Sequence, residues 1–334
     1  MRLLLSVVAL LALVLFAPAV AAAQDASPMA SPAAGCVHPE LPPGTPSPMA
    51  ASPEAEMAGM DGTPGGGEQV EAVAETAEAG AASPAAEATP VRPDGTPADQ
   101  ATVDRLTALY ESAYACINGG DFLGFAALFT PEGLLEEFGT ANPYDLPAII
   151  QGFGVVPKFR LISLDTVLVL PDGRYYAEAT YRFGNALARE GAYYVEQNGG
   201  LLAAPGTVDL PVDVPADAQT ATGELVDFGF NLSETSFTTG APIAFDVTNT
   251  GQYPHEFAVV QPPAGATIEQ VMEDPALQQQ LRFVGATFAE PGQQAPPLVL
   301  FDLEPGTYTI VCFVDVPEGV PHVMRGMVAE FTVQ

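Results

Sequence analysis

Tryptophan is absent from the chain, and histidine, cysteine and basic residues are scarce: three histidines, three cysteines and ten lysines plus arginines stand among 334 residues. Each shortage excludes something. Against 41 aspartates and glutamates, the ten bases leave a formal net charge of -31, which repels nucleic acid and anionic lipid and removes both as partners. Three cysteines, Cys36, Cys116 and Cys312, cannot all pair with one another, so at least one thiol stays unbridged. After residue 23 no apolar run approaches the roughly 18 residues needed to cross a bilayer.

What is present begins with a compartment signal. Arg2 precedes the apolar run LLLSVVALLALVLFAPAV and then AAAQ, in which Ala21 and Ala23 suit cleavage after Ala23. Residues 1–23 therefore read as a secretory signal peptide. The mature protein is expected outside the cytoplasm, secreted, periplasmic or at the cell surface, with no membrane span after cleavage. No cysteine stands at the cleavage point, which disfavours a lipid anchor.

Residues 24–97 are built from Ala, Pro, Gly, Ser, Thr and Glu, carry no aromatic residue, and repeat short phrases such as DGTP. With so little to bury they are expected to form a disordered acidic linker; the Ala/Glu run at 68–89 suits a transient helix. Cys36, His38, Met49, Met57 and Met60 are soft donors within it, irregularly spaced as in an ordinary linker. Whether Cys36 pairs with Cys116 stays open.

From residue 98 the texture changes. Val103, Leu106, Tyr110, Ala113, Tyr114 and Ile117 recur every three or four residues, predicting one helix that stops at Gly119 and Gly120. Asp121 then caps a second helix bearing Phe122, Phe125, Leu128 and Phe129. FRLISLDTVLVL, RYYAEATYRF and EGAYYVEQ follow as strands, joined by a PDGR turn and a GNALAR connection, and Asn198, Gly199 and Gly200 turn the chain into LLAA. Helices before an antiparallel sheet is an α+β order. The phrase AYACINGGDFLGFAALFTPEG resembles the SnoaL-like, nuclear transport factor 2-like families, which implies a cone-shaped α+β domain over residues 98–210 whose sheet leaves a pocket for a small-molecule ligand. Asp121, Asp165, Glu178 and Tyr181 are the candidate pocket groups, although Asp121 also reads as a helix cap and the other two acids as the wet face of a strand. The domain has no histidine, and nothing in it gathers a reaction site.

Residues 218–334 read as a sandwich of short strands: GELVDFGFNL, PIAFDVTN, HEFAVVQ, PLVLFDL, TYTIVCFV and MVAEFTV, with turns such as NTGQ and EPGT between them. ATIEQVMEDPALQQQLRF interrupts the series with helical spacing at Ile268, Val271 and Met272, restarted at Pro275. Alternation puts His255, Phe257 and Val259 on one face and Tyr308, Ile310 and Cys312 on another. NTGQYPH, Cys312, His322 and the Gly326-Met327 pair resemble, in order, the ligand segments of the cupredoxins. The resemblance implies an all-β Greek-key sandwich with one mononuclear copper ion held by His255, Cys312, His322 and Met327, the set of a trigonal blue-copper site. Met324 is the competing thioether. Zinc is the rival metal, and it requires a fourth strong donor such as Glu256 or Asp315.

Three histidines are too few for a multicopper oxidase or a copper nitrite reductase, and a lone ligand-loop cysteine excludes a dinuclear electron-transfer centre. One-electron transfer by a non-enzymatic, exported copper protein is the function implied. Residues 211–334 hold 16 acids and two bases, a charge that favours a basic redox partner or a cationic small molecule and equally serves solubility. The alternative is a non-enzymatic extracellular binding or adhesion module with a degenerate cupredoxin fold and a ligand-binding SnoaL-like domain. Its support is the nine-residue stretch FVDVPEGVP between Cys312 and His322, longer than a tight copper loop.

Overall fold

The computed structural model describes residues 34–47, 92–152, 156–197, 199–315 and 319–334. The signal peptide, the helix expected at 68–89, and Met49, Met57 and Met60 lie outside them.

Helix α1 (Gln100–Gly119) starts where the Asp99 carboxylate accepts the Thr102 N–H and stops at Gly120, whose φ of 80° closes the helix in the left-handed region. Its apolar stripe buries Leu106, Tyr110, Cys116 and Ile117. Asp121 accepts the Gly124 N–H at the head of α2 (Phe122–Ala126). Helix α3 (Pro131–Phe138) opens on a Thr130 cap and a first-turn proline and ends at Gly139, and α4 (Leu146–Gly152) follows.

These helices pack on an antiparallel meander, β2 (Phe159–Val169), β3 (Tyr175–Phe183), β4 (Ala186–Gln197) and β5 (Gly200–Asp209), with β1 (Thr96–Pro97) added at the β2 edge. ALAR, expected as connection, belongs to β4 and pairs with β3, leaving a tight reversal at Gly184, φ 62°, and Asn185.

Residues 34–47 and 92–97 depart from the expected disorder. Cys36 is bridged to Cys116 across 80 positions of sequence, the Val37 N–H donates to Ser112 Oγ at 2.6 Å, and Ser47 bonds Asp145. Arg92 grips Glu178 through two hydrogen bonds of 2.6 and 2.7 Å. Cys36 is therefore no thiolate donor. With so few apolar side chains, both segments are held instead by a covalent link and polar contacts to the folded body.

The second half is a β-sandwich. One layer holds β6 (Gln219–Val226), β7 (Gly229–Leu232), β9 (Ile243–Asn249) and β12 (Leu298–Leu300); the other runs β11-β10-β13-β14-β8, where β8 is Ser236–Phe237, β10 His255–Gln261, β11 Arg282–Ala289, β13 Gly306–Val311 and β14 Val328–Val333. Between the layers lie Phe245, Phe257, Val259, Tyr308, Ile310 and Phe331. GELVDFGFNL, expected as one strand, folds back on itself: Val226 pairs with Gly229, and the Asp227-Phe228 turn reverses the chain with Phe228 at φ 64°. The interruption forms α5 (Ile268–Glu273), opened by a Thr267–Gln270 capping box, and α6 (Pro275–Gln278), and then runs into β11, of which only Arg282 and Phe283 fell within the expected insertion and the rest was assigned to no element.

The two halves are not separate beads. Strand β12 pairs with β9 on one side and, through Leu300 and Ala186, with β4 on the other, so one nine-stranded sheet runs through both. The outer face of the second layer packs in one apolar cluster with the helical half, where Phe183 and Phe283 meet at 5.2 Å.

Candidate metal centre

The sequence NTGQYPH builds the first side of the site. Asn249 is fully buried and uses its whole amide: Nδ2 donates to the Tyr253 and Ala289 carbonyls, and Oδ1 accepts the Gly251 N–H. This fixes the turn that delivers His255 to the start of β10. Gly251 must lack a side chain, since a Cβ there would lie 2.4 Å from Asp227 Oδ1 and 2.9 Å from His255 Nε2.

Cys312 follows directly on β13, and its sulfur accepts the Glu256 N–H at 3.3 Å. The long stretch after it returns on itself. Asp315 bridges to Pro321, the His322 N–H reaches the Val314 carbonyl at 2.8 Å, and the Val323 N–H reaches the Cys312 carbonyl at 2.9 Å. These contacts join the two ends of the stretch, and His322 re-enters beside Cys312 at the head of a 3-10 turn, His322–Arg325.

Three donors converge. His255 Nδ1 and His322 Nδ1 stand 3.0 Å apart, and Cys312 Sγ lies 3.4 Å from the second and 3.8 Å from the first. All three residues have no solvent exposure. A triangle with these edges has its centre about 2.0 Å from each corner, the length of a metal–imidazole bond and slightly under a metal–thiolate bond. Met327 is likewise fully buried, in the sandwich core, with its N–H on the His322 carbonyl, whereas Met324 is 49% exposed. Glu256 and Asp315 are not in the donor cluster.

The electrostatics suit a cation. Burial holds His255 and His322 below the usual imidazole range, His322 at about 4, with the neighbouring His255 adding to the effect there. Both rings are neutral near pH 7 and able to ligate. Burial also pushes the Cys312 thiol up to about 12, against the N–H groups of Glu256 and Val314, so ionising it requires a nearby positive charge. His322 Nε2 is buried without a partner, and its ring is covered edge-on by Phe228 at 5.3 Å and Tyr253 at 6.1 Å.

One functional residue escaped the sequence reading. Asp227, in the β6–β7 turn, takes His255 Nε2 at 3.2 Å and the Gln252 N–H at 2.8 Å. Burial raises its carboxyl, but these hydrogen bonds outweigh that and leave it below its ordinary value. An ionised carboxylate only accepts, so Nε2 carries the proton and the Nδ1 lone pair faces the cluster. The signal available was faint: an acid at the middle of an apparent strand, followed by Phe-Gly.

In the other half, the helices and sheet enclose a pocket of about 730 Å³ not filled by atoms, part of it open to solvent. Tyr181 lines it, as do Glu137 and Glu190, which the sequence reading passed over. Asp121 caps α2. Asp165 and Glu178 are not among its lining residues; they pair with Arg189 and, for Glu178, with Arg92. Glu178, expected on a wet face, is buried beneath these guanidiniums. Burial raises it, and the hydrogen bonds and charge of Arg92, with the charge of Arg189, bring it below the ordinary value.

No family model matches the chain, and no curated protein does. Solved structures similar to it include reduced auracyanin from the photosynthetic bacterium Roseiflexus castenholzii, 20% identical over 36% of this chain and 98% of that one, with a TM-score of 0.26. Auracyanin A, a "blue" copper protein from the green thermophilic photosynthetic bacterium Chloroflexus aurantiacus, is 16% identical over 35% of this chain and 100% of that one, TM-score 0.25. Rusticyanin from Thiobacillus ferrooxidans is 19% identical over 36% and 79%, TM-score 0.27. At these values the likenesses carry no weight as to metal or reaction, for which the chain's own donor geometry has to speak.

Proposed function

We propose that this is an exported copper protein that carries one electron at a time, with His255, Cys312 and His322 as the equatorial ligands and Met327 as the weak axial one. The observation that carries the reading is the buried triangle of two imidazole nitrogens and one thiol sulfur, whose centre is about 2.0 Å from every corner, close to metal–ligand bonding distance. When bound, copper supplies a one-electron couple whose reduced form soft sulfur stabilises. The chain's own part is to hold the donors in place: Asp227 orients His255, the hydrogen bonds to the Val314 and Cys312 carbonyls fix His322, and the Glu256 N–H stabilises the thiolate. Three gathered donors without an added carboxylate suit this better than a closed zinc site, which needs four.

Tyr253, Val320 and Met324, each over a third exposed, lie beside or near His322 and give a partner protein an apolar landing next to the proposed metal, and the 16 acids against two bases of residues 211–334 favour a basic one. The Cys36–Cys116 bridge supports an oxidising, extracytoplasmic compartment, and among the described residues no helix is long and apolar enough to cross a membrane. The helices and meander of residues 98–210 support a SnoaL-like module that binds a ligand without acting on it.

Purified protein loaded with Cu(II) is expected to show an intense visible charge-transfer band from copper–thiolate bonding, lost in Cys312→Ser. A colourless loaded protein whose copper uptake is indifferent to that substitution refutes the proposal. The length of the stretch, on which the adhesion-module alternative rests, leaves Cys312 and His322 within 3.4 Å of each other, which favours the metal reading.

A further inference from the structure

The pocket of the helical half is walled by rings: Tyr110 and Tyr114 from α1, Tyr181 from β3, Tyr194 from β4, and four phenylalanines. Among the described residues no lysine, arginine or histidine lines it. Its strongest polar groups are two carboxyls, Glu137 on α3 at 4% exposure and Glu190 on β4 at 8%. Glu190 accepts the Tyr110 hydroxyl at 3.1 Å, whereas Glu137 Oε2 is buried with no hydrogen-bond partner. An anion entering here meets two acids and no base. A neutral apolar molecule leaves that oxygen as unmatched as it is in the empty pocket. A positive charge satisfies the carboxyls and the ring faces together, since aromatic walls attract organic cations, and the chain's net charge of -31 concentrates cations around it.

We propose that this pocket binds an apolar organic ammonium ion, with its charged nitrogen held between Glu137 and Glu190 and its hydrocarbon part among the tyrosine and phenylalanine rings. Burial raises both acids, Glu137 to about 8; the charge of Glu190 raises Glu137 further, and that of Asp209 on β5 raises Glu190. Glu136 raises Glu137 further, while Thr207 on β5 lowers it; Tyr110 on α1 and Tyr181 on β3 lower Glu190 by hydrogen bonding. Tyr110, Tyr114, Tyr181 and Tyr194 are held well above the ordinary phenol range by burial and stay uncharged. Cation entry therefore displaces a carboxyl proton to solvent: one proton leaves, one positive charge arrives, and the pocket's net charge is unchanged.

The test uses the full mature chain and two probes of one shape, benzyltrimethylammonium, whose charge does not titrate, and its uncharged isostere neopentylbenzene. Calorimetry at pH 8.5 is expected to give at least tenfold tighter binding of the cation, shrinking at pH 6 as Glu137 holds its proton. Glu137→Gln and Glu190→Gln, near-isosteric with the protonated acids, are expected to abolish the preference and leave the neutral probe's affinity unchanged. Ala192→Leu, which fills the pocket from β4, is expected to block both probes and serves if a glutamine variant fails to fold. Equal affinity for the two probes, a preference that survives both glutamine substitutions, or no binding of either probe overturns the proposal.

Discussion

Asp227→Asn isolates the contribution of a carboxylate that touches no proposed ligand atom. Asparagine keeps an oxygen where Asp227 Oδ1 accepts the Gln252 N–H and His255 Nε2, so the turn and the ring orientation persist while the charge is lost. Partners of this kind change metal affinity by about 10–100-fold. The Asp227 side chain is 28% exposed, and water screens part of its field, so the lower end applies: about tenfold weaker Cu(II) binding, or about 1.4 kcal/mol. A negative charge favours Cu(II) over Cu(I), so with Cu(I) affinity unchanged the midpoint potential rises by about 59 mV. Chelator competition measures the affinity and redox titration the potential. Asp227→Ala, which also removes the acceptor of the Gln252 N–H, is expected to cost about 0.5–1.5 kcal/mol of fold stability by denaturant titration. If the asparagine variant folds normally and neither affinity nor potential moves, the carboxylate does not tune the site and the reasoning fails.

Gly251→Ala forces a methyl group against Asp227 and His255 at 2.4 and 2.9 Å; thermal melts should show a loss of about 1–3 kcal/mol, with weaker copper uptake alongside. Removing the Cys36–Cys116 bridge by a double serine substitution is expected to lower stability by about 2–5 kcal/mol in urea titrations and to free residues 34–47 to proteolysis. Glu256 is fully buried with neither carboxyl oxygen bonded, and burial pushes it to about 8. Its folded value lies above its unfolded one, so its contribution is whole below about pH 4.5 and is lost as pH rises to 8, at up to about 1.4 kcal/mol per unit. Glu256→Gln should flatten that slope in the metal-free protein, and an unchanged slope counts against it.

Much of the metal centre was legible because strand alternation is local. His255, Phe257 and Val259 face the sandwich as the period of two requires, and so do Tyr308, Ile310 and Cys312. The stripe of α1 and its glycine stop were legible for the same reason. Asp227 was not, because a two-residue reversal with Phe228 at positive φ looks in sequence like more strand. Neither was β12's link to β4, which rests on a single register pair that no pattern announces. Glu137 and Glu190 escaped since an acid on an otherwise apolar face normally signals water, and only the assembled walls reveal a cavity there. The disulfide, left open by counting, needed the segment's path over α1.

The excursion between Cys312 and His322 separates two quantities that ordinarily travel together, the number of residues between ligands and the gap between them. Because Asp315 and Pro321 are bridged, the gap between the donors is set by that pairing and not by how many residues separate them in sequence. A change of sequence between those two positions is thereby uncoupled from the spacing of the three donors, and so from whatever ion the proposed site takes.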